Sequence, residues 1–328
     1  DPHLPFPNKR RVDDIDAAVQ INHHRIHMLF NIQGYTQGER NEIFALQPAP
    51  IQVVYKGFVG TLGASYVQYM VSDRIVSPPE YVSHYAERLV LMPHTYVVND
   101  YRQWYSEIVL REDDKAISRS NYQLPSEPRV VYCNFNQQYK IDGPTLRAWV
   151  QILLAVPGSV LWLIRFGTSD AAENALRREA VKLGLEDAAL RIVFTDPVER
   201  RLHLHVKSLA HIFLDTPQYN GHGTATDALW ATLPLVTFPV RKMASRAAAS
   251  FAVASGGQGR ATLVRNLRDY VQVGIRLGME VNEERLKVLR NELEETRFSS
   301  PMFDTRRWVK GFQKAARMLW EAGDVDDR

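Results

Sequence analysis

The sequence has a single cysteine in 328 residues. Cys133 therefore excludes an intrachain disulfide framework and any zinc site built on several cysteines, and a reduced compartment fits such usage. Set in Val130-Val131-Tyr132-Cys133-Asn134-Phe135, it reads as a buried strand residue, where a thiol is inert. Charge of one sign is scarce as well: 40 basic against 37 acidic residues leave a formal net charge of +3. So small an excess gives no reason to expect a nucleic-acid partner, although a basic cleft for a small anion is compatible with it. Long apolar runs are missing too. The longest, residues 149–166, is broken by Pro157-Gly158 and contains Arg165 near its end, so it reads as helix, turn and strand, and no membrane span is expected. No repeat with a period of 20–50 residues is present. The chain opens Asp1-Pro2-His3-Leu4-Pro5 with neither an initiator methionine nor a signal-peptide core, which is the expectation for a processed form or a fragment.

What is present is an ordinary globular composition, 45% hydrophobic and 23% charged, in a chain long enough for two domains. Residues 1–126 read as a first domain with a linker. Strands are expected at 26–30, 51–55, 69–71 and 95–98, and a helix opens at Pro78-Pro79. Residues 99–128, with Glu112-Asp113-Asp114-Lys115 and Pro125-Ser126-Glu127-Pro128, have the composition of a linker, which sets the boundary at 126/127. In 127–328, apolar strands at about 129–134, 160–165, 191–194, 212–214 and 234–238 alternate with helices at about 143–156, 170–183, 198–209, 224–232 and 243–254. Four helical segments close the chain. Such alternation implies an α/β fold with a parallel sheet covered on both faces, whose ligand edge is formed by the loops after the strands. Asp14-x-Asp16 and His23, His24 and His27 have the residue types of metal ligands. Two acids opening a helix are favoured by its dipole, however, and the histidines share no face, so no metal site is expected.

The most informative stretch is Gln218-Tyr219-Asn220-Gly221-His222-Gly223-Thr224-Ala225-Thr226-Asp227, between the strand Ile212-Phe213-Leu214 and the helix pattern from Ala228. A strand, a glycine turn and a helix start form a phosphate-binding geometry, because glycine admits close approach and the first helical N–H groups face an anion. Asp227, one turn further on, suits sugar hydroxyls. The same residues also fit a plain capping box with Thr224 as N-cap. Gly57, Gly60 and Gly63 make a second glycine-rich loop, able to approach a sugar or phosphate or to serve only as a turn.

Taken together, Tyr132-Cys133-Asn134-Phe135-Asn136-Gln137-Gln138-Tyr139-Lys140-Ile141-Asp142 and Leu214-Asp215-Thr216-Pro217 with Asn220-Gly221-His222 resemble the catalytic region of the protein O-GlcNAc transferases. The similarity continues through Ala244-Ser245-Arg246 and Ser299-Ser300-Pro301-Met302-Phe303, and upstream through Asn31-x-x-Gly34-Tyr35-Thr36 and Met92-Pro93-His94-Thr95. The resemblance implies two Rossmann-like lobes of the metal-independent glycosyltransferase (GT-B) type, the N-terminal lobe incomplete, and transfer of N-acetylglucosamine from UDP-GlcNAc to Ser or Thr hydroxyls of proteins. No cofactor is implied beyond the donor itself. By the same resemblance Lys140 contacts the diphosphate and is the catalytic group, Gln137 binds phosphate, His203 stacks on uracil, His222, Gly223 and Thr224 sit at the diphosphate, and Asp227 binds the ribose. Arg200 and Tyr219 line the donor site, and Gly57 borders it. A nuclear and cytoplasmic location, protein substrates as partners, and a tetratricopeptide segment upstream or in a partner follow as expectations.

The chain departs from the family pattern at three positions. Gly223 replaces one of two threonines after Asn-Gly-His, Arg200 stands where a lysine is usual, and Tyr219 fills a small-residue position beside the N-acetyl pocket. The histidines and aspartate of the acceptor side would precede residue 1, and Lys140 alone makes no general base at neutral pH. The alternatives are a catalytically silent homologue serving as an interaction subunit, and a related protein O-fucosyltransferase using GDP-fucose.

Overall fold

The computed structural model describes residues 13–106, 117–126, 129–167, 170–256, 262–280 and 284–322. The chain divides into two compact units, one of residues 1–74, 78–92 and 310–328 and one of residues 75–77 and 93–309.

In the first unit, α1 (Asp14–His23) starts where the Asp13 carboxylate accepts from Ile15 N, with Asp14 and Asp16 in the first turn. Asp14 is paired with Arg40 at 2.5 Å. α2 (Asn41–Ala45) follows β1 (Met28–Asn31), which pairs in parallel with β2 (Ile51–Val54), β2 with β3 (Tyr69–Asp73) and β3 with β4 (Arg88–Met92), giving the order β1-β2-β3-β4. β2 is buried along its whole length, including Gln52, whose Nε2 donates to Phe44 O at 2.9 Å and to Tyr66 O at 2.6 Å. Phe312, near the chain's end, lies 5.4 Å from Phe30 and 6.2 Å from Tyr55 between ring centroids.

The strand expected at 95–98 is not formed; the fourth strand is Arg88–Met92, in register with β3. Thr95 and Tyr96 are buried, and side chains serve the backbone of Thr95 and Val97. Thr95 O accepts from Trp308 Nε1 at 3.2 Å, and Val97 N donates to Thr95 Oγ1 at 3.4 Å. The helix expected at Pro78-Pro79 is a 3₁₀ segment, Pro79–His84.

The second unit holds β5 (Val131–Asn134), β6 (Val160–Ile164), β7 (Ile192–Thr195), β8 (Ile212–Leu214) and β9 (Leu235–Val236), all parallel, in the order β7-β6-β5-β8-β9. The connecting helices include α4 (Gly143–Ala155), α5 (Ala171–Lys182), α7 (Arg200–Lys207), α8 (Gly223–Trp230) and α9 (Ala247–Ala254); α3 (Tyr101–Trp104) and α6 (Ala188–Arg191) are single turns. Of the four closing helices expected, three are described: α10 (Leu267–Met279), α11 (Glu284–Thr296) and α12 (Thr305–Ala322). α10 is fixed to the sheet by two bonds and to α4 by a third: Tyr132 OH donates to Gly274 O at 2.8 Å, Tyr270 OH donates to Asp215 O, just past β8, at 2.8 Å, and Trp149 Nε1 of α4 donates to Tyr270 OH at 3.0 Å.

The strand order places the site. β6 and β7 extend the sheet on one side of β5, and β8 then returns to its other side. The loops after β5 and β8 therefore leave a switch point in opposite directions and open a crevice at the carboxyl edge.

The described parts of the stretch read as a linker pack into the second unit. Tyr101 is buried, and the Arg119 guanidinium donates to Leu209 O at 2.9 Å and lies 2.9 Å from His211 Nε2. Residues 107–116 and 127–128 lie outside the described residues. The chain passes between units after Met92, upstream of the 126/127 boundary read from composition.

Candidate functional site

The base of the crevice is a buried polar network that holds the loops after β5 and β8 to one another. Asn134 Nδ2 donates to Leu214 O at 2.7 Å, and Asn136 Nδ2 donates to Thr216 Oγ1 at 2.8 Å. Thr224 Oγ1 donates to Asn136 Oδ1, and Gly221 N donates to Asp215 Oδ1 at 2.8 Å. Asp215 itself is fully buried. Burial pushes its carboxyl up to about 6, against the opposing pull of the Gly221 and Thr237 donors. Gly221 must lack a side chain, since a Cβ would come 2.4 Å from Thr224 Oγ1 and 2.8 Å from Asn136 Oδ1.

Over this base stands Lys140, at the end of the 3₁₀ turn Gln138–Lys140 that leaves β5. Its ammonium donates to Asn220 O at 3.0 Å and lies 3.9 Å from the centroid of the Tyr219 ring. The elements after β5 and β8 thus meet through one cation. Partial burial holds the Lys140 pKa below the ordinary lysine range. Gln137, at the start of the turn, is exposed.

Behind Lys140 begins α8, with His222 as N-cap residue and no capping bond from its side chain to the first turn. The capping-box reading therefore fails: Thr224 lies inside the helix, and Asp227 is turned elsewhere. The helix offers its first N–H groups and positive dipole end toward the crevice. His222 is held neutral, its pKa pushed down to about 4 by burial and by Lys140. Its Nδ1 lies 3.2 Å from Asn220 O, a pure acceptor, so Nδ1 carries the proton and Nε2 the lone pair. That Nε2 is buried with no hydrogen-bond partner among the described residues. It can accept from a hydroxyl or amide N–H, which suits the sugar side of a nucleotide-sugar better than the phosphate side expected from sequence. Gly223 is exposed, and a Cβ added there would meet nothing within 4 Å.

A second group gathers where α7 faces α8. His203 is partly buried, its ring 5.4 Å from Phe135 in an edge arrangement. Burial, with Lys207 adding, pushes its pKa down to about 4, leaving a neutral aromatic face. Arg200, exposed in the first turn of α7, holds its guanidinium 5.7 Å from the Tyr101 ring and 5.5 Å from the Tyr105 ring. Asp227 is not the open carboxylate that the sequence suggests. Lys207 Nζ is 2.5 Å from its Oδ2, and Tyr101 OH donates to its Oδ1. The pair keeps the Asp227 carboxyl below its ordinary range despite burial.

Lys207 and Tyr101 are the members of this site that sequence reasoning missed. A lysine in the last turn of a helix normally answers the dipole in solvent, and Tyr101 lay in the segment read as linker. The only available signal was the Lys207 spacing, one turn from His203 on the same face.

Gly57 belongs to the first unit, with φ +60; a Cβ there would come 2.3 Å from Ile32 O and 2.8 Å from Gln33 Cα. The close passage of the loops after β1 and β2 is enough to require glycine at this point. Cys133 is buried, and burial pushes its thiol far up, so it is part of the core. Among the described residues, no group of three His, Cys, Asp or Glu side chains could hold a metal ion, and no helix is long and apolar enough to cross a membrane.

Comparison with known proteins gives the family and the fold. The model of glycosyl transferase family 41 matches residues 10–117 and 110–312. A probable UDP-N-acetylglucosamine–peptide N-acetylglucosaminyltransferase of Arabidopsis thaliana, SEC, is 43% identical over 93% of this chain and 30% of its own length. The UDP-N-acetylglucosamine–peptide N-acetylglucosaminyltransferase of Caenorhabditis elegans is 29% identical over 93% of this chain and 35% of its own. A mutant O-GlcNAc transferase of Thermobaculum terrenum superposes with a TM-score of 0.81 at 26% identity, over 95% of this chain and 56% of that one. The chain thus spans about a third of the length of these curated relatives. Its α/β fold, with two parallel sheets, is that of the O-GlcNAc transferase catalytic region. With its family model matched from residue 10 to residue 312, the chain belongs to glycosyl transferase family 41.

Proposed function

We propose that the second unit is the donor-binding half of an inverting transferase that moves N-acetylglucosamine from UDP-GlcNAc to Ser or Thr hydroxyls of proteins. The observation that carries this reading is the position of Lys140 at the switch point between β5 and β8, its ammonium 3.0 Å from Asn220 O and directly upstream of the uncapped start of α8. A cation and a helix N-terminus at one sheet edge suit a diphosphate.

In this reading the acceptor oxygen attacks the anomeric carbon as the bond to UDP breaks, and the electron pair leaves on the β-phosphate oxygen. Lys140 and the α8 N–H groups meet that charge where it develops, without a metal in this role. Protonated Lys140 has no lone pair, so the acceptor proton goes to another group. Gln137 and Thr224 assist at phosphate, the His203 face takes the uracil, Asp227 the ribose, and His222 Nε2 a donor group of the sugar. Arg200 and Tyr219 border the nucleotide and the N-acetyl group. The roles proposed here rest on residues of the second unit; Gly57, also expected at the donor, belongs to the first. We place the reaction in the cytoplasm and nucleus, with a tetratricopeptide segment recruiting acceptors; the names of the relatives support the same reaction.

Calorimetric titration with UDP in EDTA tests this. Lys140→Ala is expected to weaken binding by about 1.5–3 kcal/mol, one to two decades. Failure of the unaltered chain to bind UDP, or tighter binding of GDP, overturns the reading. Because position 223 is open, Gly223→Thr is expected to keep the fold and tighten UDP binding by about 0.5–1.5 kcal/mol through one added hydroxyl. Unchanged affinity would mean that position 223 does not face the diphosphate.

A further inference from the structure

Resting on the donor reading, we infer that Lys207 and Tyr101 are positioning residues that hold Asp227 as a fixed, ionised acceptor for a vicinal diol, and so make the site select ribonucleotides over deoxyribonucleotides. Lys207 ends α7 with no surface in solvent, its ammonium 2.5 Å from Asp227 Oδ2 and 5.4 Å from the Phe135 ring centroid. An ammonium so placed exists only with a counter-charge, and Asp227 is that counter-charge. Tyr101, itself buried, donates its hydroxyl to the other carboxylate oxygen, and its ring packs 5.7 Å from that of Trp230 on α8. Arg200 lies over the Tyr101 ring and His203 lies close to Asp227, so the carboxylate is surrounded by one anchored cation, one hydroxyl, one guanidinium and one neutral imidazole.

The chemistry follows from counting lone pairs. An ionised carboxylate has about four acceptor positions, of which Lys207 and Tyr101 occupy one on each oxygen. One position on each oxygen is left, at a spacing that suits two neighbouring hydroxyls donating together. A protonated Asp227 would present a donor to one of them. Released from Lys207, the buried carboxyl loses the charge that holds its pKa down and moves toward the protonated form; released from Tyr101, it loses one of the two bonds that fix its orientation. Loss of one ribose hydroxyl leaves a buried acceptor unpaired, which is where selectivity is strongest.

The test is titration of the chain with UDP, 2′-deoxy-UDP and 3′-deoxy-UDP, comparing the unaltered protein with Lys207→Met, Lys207→Arg and Tyr101→Phe, with near-ultraviolet circular dichroism as the check on folding. The unaltered chain is expected to prefer UDP over one or both deoxynucleotides by about 10- to 100-fold. Lys207→Met is expected to reduce that preference to about threefold or less, mainly by weakening UDP and not the deoxynucleotides, and Lys207→Arg to restore part of it. Tyr101→Phe keeps the ring packing and removes one donor, so it decides the matter if Lys207→Met does not fold. An unaltered preference in Tyr101→Phe and in any folded Lys207 variant overturns the inference, as does equal binding of all three nucleotides by the unaltered chain; both outcomes leave the donor site standing. Absence of UDP binding by the unaltered chain overturns the donor reading and this inference together.

Discussion

Asp227→Ala lowers the unfolding free energy of the second unit by about 3–5 kcal/mol, because Lys207 remains behind as an unpaired cation with no access to water. Loss of the salt bridge as a contact accounts for little of this. A buried pair is worth little net, whereas half of one is expensive. The same argument predicts that the double variant Lys207→Met/Asp227→Leu recovers most of the loss, since both desolvation costs then vanish and the volume is kept. Urea unfolding followed by the fluorescence of Trp149, Trp162 and Trp230, all buried in this unit, measures both variants. A single variant within about 1 kcal/mol of the unaltered chain, or a double variant no better than the single, would show that Lys207 finds other charge compensation.

Acid destabilises the second unit by about 1 kcal/mol per pH unit between pH 6 and 4, for a total of about 2–3 kcal/mol. His203 and His222 have folded pKa values near 4 against an ordinary 6.5, so each contributes stability that is complete above 6.5 and is lost as pH falls through the folded value. The unfolded chain binds their two protons earlier than the native one. Asp215 acts the other way. Its folded pKa near 6 lies above the ordinary 3.8, so the native state binds that proton first and gains as pH falls. Two protons against one leave about one net proton favouring the unfolded chain near pH 5. Asp227, whose folded pKa is depressed, extends the loss below the ordinary carboxylate range. Urea midpoints at half-unit steps of pH measure the slope. A midpoint independent of pH across this window would mean that the two histidines are not held neutral. His222→Gln, which keeps polarity and removes the titration, is expected to flatten the curve by about one proton.

The second sheet was legible because buried parallel strands carry near-continuous apolar runs. Residues 160–164 and 212–214 announce themselves without any knowledge of their neighbours. The first sheet was less so. Arg88–Met92 opens with a charge and is half-covered, whereas 95–98 has the β-branched and aromatic residues of a strand but meets side chains in place of a ladder. At the site, the glycine turn and the helix start are local and could be read from spacing, whereas Lys140 and His222 are marked only by the family resemblance; the fold brings both to Asn220 O. The state of a carboxylate is not local. Asp227 reads from the sequence as an open acceptor for sugar hydroxyls, but its partners in the fold come from 20 and 126 residues away, and nothing in the composition of either segment records that a lysine there is turned inward.

The strand order also governs when the site exists. β5 pairs with β6 across one helix, a short loop to close, but β8 registers Ile212 on Tyr132 and Phe213 on Cys133 from about eighty residues away. Closing that longer separation costs more chain entropy, by about 1 kcal/mol, which favours assembly of β5, β6 and β7 before β8 docks. Lys140 and Asn220 meet only at that last step. A nascent chain that has emerged only as far as β7 therefore lacks the Lys140–Asn220 contact on which the proposed donor site rests, and ligand added to a refolding mixture is expected to act only after β8 has docked.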